Sequence, residues 1–379
     1  MSPRHFATIL ATTLALTFPA HAEETRGIFE WHLFADTYYG YNFNQPAPVV
    51  APSSASVSAA SVPDARNTYR YYDFYHNQIS LSLLELSVLA KHGEVSLLVD
   101  LDFGPFADGN AASGSGAAKS VDEVSKHIGQ AVVSYRPEGS RFSMDVGKMY
   151  SHIGAETVKS KDNFNYSRTV LFSYGMPFWH TGARFGYDII PDRFSANIYL
   201  YNGWNSIYDN NQSKSVGAQL KVVPASFVTV AYNYLGGPER TDSEKDRKTV
   251  HELNTSWTLT DSLLLLTDLV YGEEQNVVLG TTRSVAKWYG GFAALKYSLN
   301  GHSYLSPRFE IFRDHNGYLL GGGAQTLHSA TMTYGHTLAK GLDLRTEGRW
   351  DSSSTKLFTK GLTAKSSQTT LLAALLFTY

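Results

Sequence analysis

None of the chain's 379 residues is a cysteine, which removes disulfides, thiol nucleophiles and zinc–thiolate centres together. Net charge is nearly absent as well. The 32 Lys and Arg almost cancel the 34 Asp and Glu, and without Arg4, which belongs to a leader, 31 face 34. That balance gives no reason to expect nucleic acid as a partner. After residue 22 no stretch reaches the ~18 apolar residues that a membrane-spanning helix needs. The 13 histidines are scattered, with no metal-ligand spacing and no legible Ser/His/Asp arrangement, so the sequence leads us to expect no enzyme, no metal and no cofactor. What is plentiful is aromatic: 13% of the chain, including 24 Tyr, beside 31 Gly. Mean hydropathy is −0.22, as when apolar residues facing lipid alternate with polar residues facing a lumen.

The two ends set the class. Arg4 and His5 precede an apolar run from Phe6 to Phe18, and Ala20-His21-Ala22 offers a small-x-small cleavage site before Glu23. This reads as a signal peptide over 1–22, too short to span a membrane. At the other end Leu371, Ala373, Leu375, Phe377 and Tyr379 occupy every second position, one face of a strand that ends on an aromatic residue. Such a tail resembles the signal by which outer-membrane barrels are handed to the barrel assembly machinery. Its edge must pair with the first strand, because lipid offers no hydrogen bonds. Export plus this tail predicts a Gram-negative outer-membrane location.

Between the ends, sixteen period-two segments of about ten residues can be drawn. They run over 28–43, 78–91, 94–104, 128–136, 141–150, 178–189, 193–203, 214–223, 226–235, 249–259, 263–272, 284–299, 302–313, 324–338, 342–351 and 366–379. Leu83-Leu84 breaks the phase of the second and predicts a bulge there; the faces of 284–299 are ambiguous. Gly, Pro, Asn and Asp build tight turns such as Pro191-Asp192, Asn300-Gly301 and Ala339-Lys340-Gly341. These alternate with longer loops over 44–77, 105–127, 151–177, 204–213, 236–248, 273–283, 314–323 and 352–365. The alternation predicts an all-β fold: one antiparallel transmembrane barrel of about 16 strands over 23–379, with short periplasmic turns and long external loops. The Ala/Ser/Pro/Val tract from Ala47 to Ala65 and the segment from Gly109 to Ala118 fall inside loops and mark no domain boundary.

An ordered series of strings resembles the OmpL-like β-barrel porins. It includes Phe34-Ala35-Asp36-Thr37-Tyr38-Tyr39-Gly40-Tyr41, Asn67-Thr68-Tyr69-Arg70, Asn77-Gln78-Ile79-Ser80-Leu81, Asp145-Val146-Gly147-Lys148, Gly154-Ala155-Glu156, Asn165-Tyr166-Ser167-Arg168, Asn202-Gly203-Trp204-Asn205 and Lys214-Ser215-Val216-Gly217. The resemblance implies a barrel that passes small solutes. It implies no particular substrate and assigns no binding residue.

Two groups of residues could shape a passage. The third long loop, 151–177, carries Glu156, Lys159, Lys161, Asp162 and Arg168. Its place in a sixteen-stranded topology favours folding into the barrel as a constriction that focuses the field; the alternative is an outward, solvated loop. In the fifteenth strand Asp343, Arg345, Glu347, Arg349 and Asp351 share one face. Charges on the lipid side would each cost up to several kcal/mol near the midplane, so this face must look inward. Arg141, Asp145, Arg184, Asp188, Arg308 and Glu310 fall on the same kind of position. The sequence therefore predicts a passive diffusion channel for small hydrophilic solutes or ions with a charge-lined lumen, whose partners are outer-membrane lipid, the assembly machinery and the solutes. The rival reading is a structural or adhesin-type barrel with a blocked lumen. Association into a homotrimer is left open.

Overall fold

A computed structural model describes residues 27–46, 66–112, 124–241 and 243–379. The signal peptide and the 47–65 tract lie outside the described residues. Eighteen strands follow one another: β1 (Ile28–Asn42), β2 (Gln78–His92), β3 (Val95–Phe103), β4 (Ile128–Tyr135), β5 (Phe142–Tyr150), β6 (Trp179–Ile190), β7 (Phe194–Tyr201), β8 (Ser215–Ala225), β9 (Val228–Pro238), β10 (Arg247–Thr260), β11 (Leu263–Leu279), β12 (Thr282–Ser298), β13 (Ser303–Asp314), β14 (Gln325–Ala339), β15 (Leu342–Ser353), β16 (Phe358–Lys360), β17 (Thr363–Lys365) and β18 (Ser367–Thr378). All but β16 and β17 form one closed antiparallel barrel of sixteen strands, each beside its sequence neighbour.

The closing seam is where the tail predicts it. β18 pairs with β15 on one side and with β1 on the other, from Phe34↔Thr378 to Asn42↔Thr370. Leu33 and Tyr379 exchange both backbone hydrogen bonds, at 3.0 and 2.9 Å, and Trp31 stacks on the Tyr379 ring at 5.2 Å. Leu371, Leu375, Phe377 and Tyr379 point outward and are exposed, whereas Leu372, Ala374 and Leu376 point inward and are buried. The closed barrel leaves no edge strand in the wall to expose unpaired peptide groups.

Two local features differ from the reading of the sequence. The extra residue in β2 is Ser82, because Asp36 pairs with Leu83 and Thr37 with Leu81. Ser82 and Leu83 therefore both turn inward and the phase resets at Leu84. The segment expected to be a loop over 273–283 is instead a hairpin. β11 and β12 run on past a bulge at Gln275-Asn276 to pair Leu279 with Thr282, and Gly280 adopts φ +66 in the two-residue turn. The strand-favouring Val277, Val278 and Thr282 sustain the ladder, which the polar run Glu273 to Asn276 masks in the sequence. The ambiguity over 284–299 resolves in favour of even-numbered residues facing in: Ala286, Trp288, Phe292 and Ala294 are buried, and Val285, Tyr289 and Tyr297 are exposed.

The extracellular half of the barrel interior is packed. Tyr72, Phe106, Tyr166, Leu171, Phe172, Phe178, Trp288, Phe312 and Phe358 form one buried cluster drawn from four loops and the wall. Leu319 and Leu320 close over it, and the β16–β17 hairpin supplies Phe358.

Candidate functional site

The loop between β5 and β6 enters the barrel. Its α-helix, Val170–Gly175, starts at Thr169, whose hydroxyl accepts the Phe172 N–H at 3.0 Å; this is an N-cap. The apolar run Val170-Leu171-Phe172 then meets the interior wall, where Trp288 Nε1 donates to the Gly175 carbonyl at 3.0 Å.

Irregular backbone at membrane depth must have its peptide groups satisfied by protein. The wall does this with charged side chains. On β15, Glu347 accepts the N–H groups of Tyr166 (2.7 Å) and Ser167 (3.2 Å). On β13, Glu310 accepts that of Leu171 (2.6 Å). The guanidinium groups take the carbonyls: Arg345 donates to Ser160 (2.6 Å), Asn163 (3.0 Å) and Lys161 (3.1 Å). Arg308 reaches Ser167 O at 2.6 Å, and Arg349 reaches Arg168 O at 2.5 Å. Carboxylates thus receive donors and guanidiniums receive acceptors along a ladder of inward side chains.

The loop's own charges complete the dock. Glu156 forms an ion pair with Arg308 and accepts the Thr169 N–H (2.8 Å) and hydroxyl (2.6 Å). Lys159 pairs with Glu85 on β2 and Asp100 on β3 (2.7 Å). Arg168 donates to Tyr166 O at 2.9 Å and lies over the Tyr72 ring at 4.7 Å. Asp36 accepts from Ser160 Oγ (2.5 Å) and Tyr166 Oη (2.8 Å). Glu156, Lys159, Arg168, Arg308, Glu310, Arg345, Glu347 and Arg349 are all buried.

The remaining sequence candidates sit elsewhere. Asp162 is exposed and Lys161 half-buried at the loop tip, with Lys161 3.7 Å from Glu85. Asp145 is buried between Arg136 (2.6 Å) and Arg184 (2.5 Å) on the β4–β6 wall. Arg141, which donates to Ile189 O at 3.0 Å, and Asp188 are exposed toward the periplasmic end. Asp343 is half-buried and accepts from Thr337 at 2.7 Å. The structure therefore brings Glu156 together with Arg308, and the loop backbone with Arg345, Glu347 and Arg349, but leaves Arg141, Arg184 and Asp188 apart from the loop. Sequence reasoning missed Asp100 on β3 as a member of the dock, and on β1 and β2 it missed Asp36 and Glu85. Their signal was available, since both sit on inward positions of β1 and β2 among apolar outward neighbours.

Beside the loop a cavity of about 230 Å³ is bounded by Gln130, Tyr150, Thr157, Lys159, Asp162 and Phe178, among others. Among the described residues, no cluster of His, Asp and Glu is arranged to hold a metal ion.

Known proteins share this architecture. A family model described as "Putative beta-barrel porin-2, OmpL-like" matches residues 29–379. Among solved structures, the outer membrane channel DcaP of Acinetobacter baumannii superimposes with a TM-score of 0.60 at 12% identity, covering 96% of this chain and 100% of that one. The anion-selective porin from Comamonas acidovorans gives 0.59 at 12% identity, over 93% and 100%. OmpT of Vibrio cholerae gives 0.56 at 10%, over 94% and 99%. At these identities the likeness speaks to the fold. No curated protein sequence matches the chain.

Proposed function

The chain belongs to the OmpL-like β-barrel porin family, and from that premise we propose that this porin's passive diffusion path favours small anions and narrows at the loop 151–177. On this reading the charged ladder of β13 and β15 is occupied in holding the loop, so solutes meet a different set of charges. One observation supports it. Among the described residues, the inward charges that keep contact with water include Lys91, Arg136, Arg141, Lys148, Lys161, Arg184, Arg193, Lys221, Lys248 and Lys296 against Glu30, Glu94, Asp162, Asp188 and Asp343. Even with Asp145, buried between Arg136 and Arg184, cations are in surplus, although the chain as a whole has a formal charge of −2. A narrow, low-dielectric passage focuses such a surplus.

The two arms of this surplus sit at different depths. Lys296 lies over the Phe164 and Tyr304 rings at 5.7 and 4.6 Å, directly under the loop. Arg193, Lys221 and Asp188 line a concavity of about 290 Å³ at the periplasmic end. Cleavage after Ala22, delivery to the outer membrane and assembly through β18 belong to the same reading. The barrel supplies no reaction; its work is binding weakly enough to release. Swelling of proteoliposomes in matched anionic and cationic organic solutes tests the reading: anions should enter faster. Equal or reversed rates would remove the anion preference, and no swelling with either would favour the blocked-lumen barrel.

A further inference from the structure

Part of the first long loop is folded into the barrel mouth under strain. Residues 66–76 double back as a hairpin: Arg66 and Tyr75 form a β-bridge, and the Asn67 N–H donates to Phe74 O at 2.7 Å. The base is tied to β1, where Tyr38 Oη accepts the Tyr75 N–H at 2.9 Å and Asn42 Nδ2 donates to Asn67 Oδ1 at 3.0 Å. The tip reaches across the mouth. Tyr69 Oη donates to Leu320 O at 2.9 Å, Tyr71 meets the Phe178 ring at 5.0 Å, and Tyr72 stacks on Phe106 at 4.5 Å. Tyr69 and Tyr72 both hold positive φ, +55 and +76, a region that side chains of this size rarely occupy. Two such residues so close together store strain that the surrounding contacts must hold.

The charges at the tip divide without remainder. Arg70 is buried and pairs with Asp73 of the same hairpin at 2.8 Å and with Asp351 on β15 at 3.0 Å. It also donates to Thr370 Oγ1 on β18 at 2.9 Å. When the tip withdraws, Arg70 leaves with Asp73 as its counter-ion. Asp351 keeps Arg349 Nε at 2.7 Å, Ser329 Oγ at 2.5 Å and Gln368 Nε2 at 3.0 Å. Neither side is left with an unpaired buried charge, which is the main cost of parting a buried ion pair. The loop 151–177 is bound differently, because Glu156 and Arg308 are partners across its contact and parting them strands both.

We propose that residues 66–76 are a hinged inner lid, which closes the extracellular mouth and withdraws as a unit while the loop 151–177 stays docked. Strain at Tyr69 and Tyr72 biases the hairpin toward withdrawal. The Arg70–Asp351 contact and the aromatic packing hold it in, and the balance makes a two-state gate. Asn77, at φ +58 just before β2, is the hinge on one side. The tip carries one cation, Arg70, and one acid, Asp73. The lid therefore governs access, and the sign of selectivity stays with the lumen charges beneath it.

The chain has no cysteine, so Thr370→Cys places a single thiol behind the lid. A bulky, membrane-impermeant maleimide added to intact cells should label it slowly. Arg70→Met on that background should raise the labelling rate about tenfold or more. Replacing residues 68–73 by Asn-Gly, the two-residue turn that the Asn67–Phe74 pairing accepts, should give the fastest labelling. Without the added thiol, the same excision should give a larger, steadier single-channel conductance and a reversal potential of unchanged sign. Heat-modifiable migration confirms that each variant is folded, and the excised chain carries the test if Arg70→Met is not. A parent rate of labelling or a parent conductance in the folded excised chain would overturn the lid. So would a folded Thr370→Cys chain that never labels, since the hairpin would then be a fixed plug.

Discussion

Replacing Glu156 by Gln should loosen the loop that enters the barrel. The carboxylate is 5% exposed and Arg308 1%. Their ion pair is the one salt bridge recorded for either side chain among the described residues. The substitution keeps the shape and removes the charge, so Arg308 is left buried with only Ser167 and Thr331 oxygens as partners. Breaking one side of a buried pair costs about 3–5 kcal/mol, a shift of roughly 10²–10⁴-fold in the docking equilibrium. Gln can still accept one of the two Thr169 hydrogen bonds, so the lower figure is the better guide. Single-channel recording should then show a larger mean conductance with excursions to a wider level. Arg308→Met on the same background should return the current toward the parent by removing the orphaned charge, which a double-mutant cycle would quantify. Parent-like current noise and heat stability in Glu156→Gln, or a double variant worse than the single, would refute the idea that this pair holds the loop.

Other consequences are as direct. Lys161→Glu with Lys296→Glu should move selectivity toward cations, read as a shift in reversal potential, whereas Arg349→Gln should act mainly on stability because Arg349 is bound to Asp351 and to the loop. Deleting Phe377 to Tyr379 removes the Leu33–Tyr379 exchange and the Phe34↔Thr378 end of the seam, and should leave unfolded protein in the periplasm rather than heat-modifiable barrel. A protease-cleavable tag at Gly280, where an added Cβ meets nothing within 4 Å, should be cut on intact cells, and one at Gly301 should not. Burial pushes Glu239 up to about 7 from 4.5, against the lowering by hydrogen bonds from Ser215 and the Trp204 N–H. The folded loop therefore holds this proton more tightly than the unfolded chain, and its contribution to order falls as pH rises between those values. Protection factors around residues 202–206, corrected for the intrinsic pH dependence of amide exchange, should be higher at about pH 5 than at about pH 8, and Glu239→Gln should abolish the difference.

The barrel was legible because its strands alternate in a way that only a two-sided wall requires. Phe194, Ala196, Ile198 and Leu200 face out against Ser195, Asn197, Tyr199 and Tyr201, and turn chemistry set the periplasmic ends to within a few residues. The hairpin at 273–283 was not legible, because four polar residues interrupt the period just where the ladder shifts at Gln275-Asn276. The inward parity of Arg308, Glu310, Arg345, Glu347 and Arg349 follows from their positions. Their partners do not, since contacts such as Glu347 with the Tyr166 N–H join residues far apart in sequence. A charge on an inward position satisfies the burial rule equally well in open water or against a docked backbone. That is why the sequence suggests a charge-lined lumen, where the structure has many of those charges in contact with the loop.

The most direct measurement of the central claim is the reversal potential of the parent channel in a planar bilayer with a salt gradient of ions of equal mobility. A water-exposed lumen with more cations than acids predicts a potential of the sign set by anions moving down their gradient, and one that shrinks as ionic strength rises. A cation-signed potential would contradict the assignment of Lys161, Arg184, Lys221 and Lys296 to the conduction path, and the absence of unit conductance would contradict the porin itself.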